Sequence, residues 1–105
     1  MSAVEVRGPK GPARYGGADL LTWARSQVRI ASEIMDNPGG GLLFATQTIG
    51  QVEAALSEAD ADRWHSTVQL LREAEDSAVR REFGRARELL AQASERLSRT
   101  GPAPR

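Results

Sequence analysis

Four groups of residues in this chain have types and spacings that could carry chemistry. Asp36 to Leu43 reads DNPGGGLL, a glycine-rich run of the kind that can cradle a phosphate. His65 lies three residues after Asp62 and beside Ser66, the side-chain types of a nucleophile system. Glu58, Asp60 and Asp62 place three carboxyls in five residues, as a cation site would. Arg80, Arg81, Arg85 and Arg87 gather four guanidinium groups in eight residues, as a phosphate-tracking surface would.

The first three fail on detail. A P-loop needs a lysine for the phosphates and a following hydroxyl for magnesium. Here Gly41 is followed by Leu42, Leu43, Phe44 and Ala45, and no lysine occurs beyond Lys10. The dinucleotide fingerprint needs a strand before its glycines, whereas a helical pattern precedes these. The run reads instead as a chain reversal. Asn37 precedes a proline and is steered away from the α region. Pro38 stops the helix, and the glycines permit the unusual angles of a tight turn. What survives of the phosphate idea is generic: free amides at the start of the next helix could accept an anion.

Asp62 and His65 can touch as an i, i+3 pair, but consecutive side chains on one helix diverge by about 100°. Ser66 and His65 therefore lack a nucleophile–base geometry, and no strand-to-helix elbow is present. Alternating carboxyls at i, i+2 do not share a helix face. The set also lacks the glycine and distal glutamate of a calcium loop, so it reads as a solvated turn favouring a helix N-terminus. One histidine and no cysteine exclude a multi-histidine or thiolate metal site and a thiol nucleophile. No catalytic residue, metal ligand or cofactor-binding residue is expected.

The arginines are the best polar candidate. Glu88 is spaced to pair with Arg85 or Arg81, and Glu82 with Arg85, which would make the set a salt-bridged face of little energy. The alternative is contact with phosphates, aided by Arg7, Lys10 and Arg14 near the N-terminus. No aromatic residues interleave for base stacking.

The elements that would position these groups are helical. Leu20, Leu21, Trp23, Ala24, Val28, Ile30, Ala31, Ile34 and Met35 fill half a helical wheel, with Asp19 as its N-cap or a first-turn acid. Gln27 alone interrupts that arc. Leu42, Ala45, Ile49, Val52 and Leu56 recur at 3, 4, 3, 4, a narrow packing seam with Gly50 beside it. From Asp60 the pattern runs almost to Arg99. Trp64, Val68 and Leu71 make one stripe; Val79, Phe83, Ala86, Leu90, Ala93 and Leu97 make another. Glu75 stands where the first stripe should continue. Either one helix of about 39 residues, of coiled-coil length, or two helices broken near Glu75 with Asp76 or Ser77 as N-cap would fit. The second is preferred because it completes a bundle of similar helices.

The prediction is an all-α protein: a small bundle of three or four helices over 18–99, between flexible tails at 1–17 and 100–105. Of 105 residues, 40% are apolar and 27% charged, and fourteen basic residues balance fourteen acidic ones. Such a chain forms one small domain with a thin core. The charges segregate: 51–76 holds seven acidic to two basic residues, and 77–105 seven basic to three acidic. No apolar run reaches the roughly 20 residues needed to span a bilayer, and the N-terminus lacks a secretory apolar core. A cytoplasmic protein without membrane contact is expected.

The function expected is that of a non-catalytic helical interaction or regulatory module. It would bind a protein partner or a second copy through apolar helix faces, with Val79, Phe83, Leu90 and Leu97 at the interface. The alternative is a small nucleic-acid-associated protein using Arg80, Arg81, Arg85 and Arg87.

Overall fold

The computed structural model describes residues 17–99. Of the expected tails at 1–17 and 100–105, all but Gly17 lies outside the described residues, and Gly17 opens α1 rather than closing a tail. Three helices fill most of the rest: α1 (Gly17–Asp36), α2 (Leu42–Val79) and α3 (Phe83–Arg99).

The described chain nevertheless packs as four rods, because α2 bends once. Asp60 has φ −167° and ψ 91°, an extended residue inside a helix. Its Oδ1 accepts a hydrogen bond from the Arg63 backbone N–H at 3.1 Å, which is the bond an N-cap makes to the third residue of a new helix. The arms, 42–59 and 61–79, then run back along one another. Arg72 Nε lies 3.8 Å from Glu53 Oε1, and a Cβ on Gly50 would lie 3.9 Å from Glu75 Oε2. On a straight helix residues 50 and 75 would be about 37 Å apart at 1.5 Å per residue. The acidic set at 58–62 thus sits at a turn, with Asp60 as the cap.

The remaining rods close the ring. Arg85 reaches Glu73 at 3.9 Å and Arg96 reaches Ser66 at 2.8 Å, so α3 runs antiparallel to the second arm of α2. Arg87 near the start of α3 meets Asp36 at the end of α1 at 3.0 Å, so α3 also runs antiparallel to α1. The result is an up-down-up-down bundle of the kind short connections produce.

The core follows the predicted stripes. Val28 and Met35 of α1, Ile49, Val52 and Leu56 of the first arm, Trp64 and Leu71 of the second, and Leu90 and Leu97 of α3 are all buried. Ala24, Ala31, Ala45, Ala74, Ala78, Ala86 and Ala93 have no exposed surface. Such small side chains at the contacts let the rods approach toward the lower end of the usual 8–10 Å. Gln27 is only half-buried, at the edge of α1's apolar face.

The break between the last two rods is real but falls later than predicted. It lies at 80–82 rather than at Glu75–Ser77. Neither Asp76 nor Ser77 is an N-cap: Asp76 pairs with Arg80 at 2.8 Å, and Ser77 is buried. The Arg81 N–H bonds the Ala78 carbonyl at 3.0 Å and the Glu82 N–H bonds the Ser77 carbonyl at 2.8 Å. This pair of bonds is the Schellman closure, which wants a left-handed residue between them. Arg81 supplies it, with φ 65°. Val79 therefore ends α2 and does not begin the α3 stripe. Glu75 breaks nothing, because its carboxyl lies in the seam between the arms.

The DNPGGGLL reversal uses two of its three glycines. Gly39 has φ +45°, and the Gly41 N–H bonds the Pro38 carbonyl at 2.6 Å to close the turn. A Cβ on Gly41 would come within 3.2 Å of the Ile34 side chain, whereas one on Gly40 would meet open space. Gly41 then caps α2 through its carbonyl, bonded by the Ala45 N–H at 2.9 Å.

Candidate interaction surfaces and a buried carboxyl pair

The four apolar residues predicted to meet a partner separate into two classes. Leu90 and Leu97 have no exposed surface. They face inward because the α3 stripe packs on α1 and the second arm. Val79 is 66% exposed and Phe83 is half-buried. A partner could reach only these two without opening the bundle.

Two further apolar residues lie at the same end of the bundle, and the helical pattern assigned them no role. Leu43 and Phe44, in the first turn of α2, are 69% and 55% exposed. The 50–75 and 53–72 contacts set the register of the hairpin and place Val79 level with that first turn. Leu43, Phe44, Val79 and Phe83 thus gather at the end of the bundle that carries the 37–41 and 80–82 connections. The signal was present in the sequence: Leu43 and Phe44 fall off the 3, 4, 3, 4 seam that begins at Leu42. A helix residue that is large, apolar and off the seam is left facing solvent.

The four arginines form no open cationic stripe. Arg80 pairs with Asp76 at 2.8 Å and Glu82 at 3.5 Å, Arg85 with Glu73, and Arg87 with Asp36. The partners differ from those predicted by helical spacing, because Arg81 and Glu82 lie in the turn and Arg85 and Arg87 reach across to neighbouring rods. Arg81 alone of the four has no carboxylate partner among the described residues. His65 is exposed, as are Asp62 and Ser66; Ser66 accepts from Arg96 and does not serve His65.

Among the described residues, the one strongly perturbed group is Glu53. Its side chain is 13% exposed, and Oε2 is enclosed without a hydrogen-bond donor. Burial first, then a hydrogen bond with the Glu75 carboxyl and repulsion from its charge, push Glu53 up to about 8, with Arg72 pulling the other way. A proton held on Glu53 lets that carboxyl donate across the seam to Glu75. The sequence carried a trace of this pair in Glu75 on an apolar stripe and Gly50 beside the seam. It could not show that the hairpin brings Glu53 to the same place. Two carboxyls in a seam can store a proton; among the described residues no third histidine, cysteine or carboxylate joins them to hold a metal.

No described helix is long and apolar enough to cross a membrane. Comparison with known proteins returns no family model, curated protein or solved structure that matches this chain.

Proposed function

We propose that this chain is a non-catalytic helical interaction module that docks on a protein partner through the loop end of its bundle. The observation that carries the reading is the exposure of Leu43, Phe44 and Val79 together at that end. Large apolar side chains at one place on a surface disfavour solvation and mark contact sites. Aromatic anchors such as Phe44 supply much of the energy in such contacts. The engagement of Arg80, Arg85 and Arg87 by this chain's own carboxylates favours an apolar docking mode over a phosphate-binding one. The absence of cysteine suits a cytoplasmic module.

Affinity capture from the native cell tests the reading, comparing the full chain with a Leu43→Ser/Phe44→Ser variant. A protein retained by the parent chain through high salt and nuclease, and lost by the variant with helicity unchanged, is the expected result. A bound set that the variant retains in full removes the reading. So does a set that is nucleic acid and dissolves with salt. A second copy of the chain as the retained protein would make the module a self-associating one.

A further inference from the structure

The polar half of α1 is not simply solvated. Thr22, Arg25, Ser26, Arg29 and Ser32 fall within roughly 120° of one another on a wheel of 100° per residue. Facing Ser94 of α3, they wall an open groove of about 420 Å³ with buried Leu90 at its base. The volume lies within the range of about 300–1,000 Å³ usual for small-molecule sites.

The arginines in this groove are set apart by what they lack. Ten arginines fall among the described residues. Five are in ion pairs: Arg72, Arg80, Arg85, Arg87 and Arg99. Arg63 lies over the Trp64 ring, and Arg96 donates to Ser66. Arg25, Arg29 and Arg81 have no such partner among the described residues, and two of those three share the groove. Glu33 is four residues beyond Arg29 but not within ion-pair distance of it. Two like charges at i, i+4 disfavour the helix that carries them. Arg25 is also half-buried, so part of its hydration is lost without a counter-charge.

We propose that this groove is a binding site for a small phosphate ester. A dianionic phosphoryl group neutralises both guanidinium groups, whose planar forks match its oxygens. The hydroxyls of Thr22, Ser26, Ser32 and Ser94 can donate to its remaining oxygens or to a hydroxylated remainder of the ligand. The site is independent of the apolar loop end, since it lies along the middle of α1 and α3.

An amide-resolved NMR titration of the full chain tests this, using inorganic phosphate and ribose 5-phosphate against sodium chloride at equal ionic strength. Both phosphates are expected to give saturable shifts confined to residues 22–33 and 87–95, with a Kd of roughly millimolar or tighter. Arg25→Gln/Arg29→Gln should weaken binding at least about tenfold. Arg81→Gln, which removes the unpaired guanidinium outside the groove, should leave it unchanged. Ala91→Glu keeps both arginines but sets a carboxylate on the exposed wall of the groove, and should also abolish binding. The proposal is overturned if neither phosphate gives saturable shifts. It is equally overturned if Arg25→Gln/Arg29→Gln binds as the parent does, or if only Arg81→Gln loses binding.

Discussion

Glu53 and Glu75 meet across the two arms of α2, where a carboxyl–carboxyl hydrogen bond joins them and Glu53 Oε2 is closed off from other donors. Each sits on an otherwise packed seam, and Arg72 offsets only part of the cost at 3.8 Å. The arrangement favours a proton on Glu53, so folding is linked to proton uptake.

The sign of that linkage follows from the direction in which Glu53 moves. Burial, then the Glu75 carboxyl, push Glu53 up from the ordinary carboxylate range to about 8 in the bundle. Between these values the folded state holds the proton more tightly, so stability falls as pH rises through that window. The loss should be on the order of 2 kcal/mol, since a tenfold change in proton affinity corresponds to about 1.4 kcal/mol and the site retains some solvent contact. Glu53→Gln keeps a donor toward Glu75 and removes the titration. Thermal melts at pH 5 and pH 8 should show the parent losing several degrees at the higher pH and the variant losing little. A parent whose melting temperature does not fall between these pH values would contradict a proton held on Glu53.

Arg81 holds a left-handed conformation that glycine adopts at no steric cost. Arg81→Gly should therefore stabilise the bundle, by about 1 kcal/mol. Its guanidinium has no partner among the described residues, so little is lost with the side chain. A denaturation midpoint that moves down would mean that the side chain makes a contact the turn needs.

The three consecutive glycines should respond unequally to alanine. Gly39→Ala meets a positive φ and should cost about 1 kcal/mol. Gly41→Ala forces the Ile34 side chain to give way and should also destabilise. Gly40→Ala meets nothing and should be neutral or slightly stabilising. Urea melts of the three variants separate these outcomes; equal losses at all three would mean that the loop works by flexibility instead.

Leu90 and Leu97 should behave as core and Leu43 as surface. Leu90→Ala and Leu97→Ala each remove a fully buried side chain and should cost about 2–5 kcal/mol. Leu43→Ala should change stability by no more than about 0.5 kcal/mol. Chemical denaturation measures all three, and a large loss for Leu43→Ala would place it in the core of a tighter bundle.

The rods were legible in the sequence because their signal is periodic. Ala45, Ile49, Val52 and Leu56 recur at packing intervals, and all four are fully buried. Asp60 was legible as the start of a rod, because an acidic residue ahead of an apolar stripe is capping chemistry. The final break was misplaced because Asp76 and Ser77 are good caps by type, while Arg81 in a left-handed turn has no sequence signature. Val79 looked like part of the α3 stripe because spacing alone does not register a turn that takes three residues. The carboxyl pair and the α1–α3 groove depend on which rods become neighbours, and that is a tertiary fact no single helix pattern carries.

Docking of the loop end on a protein partner is tested most directly by site-specific photo-crosslinking in the native cell. A photoreactive phenylalanine analogue is placed at Phe44 and, as control, at exposed Ala61 beside the bend. One protein crosslinked from position 44 and not from position 61 is the expected result. No protein crosslinked from position 44, or the same set from both positions, would contradict it.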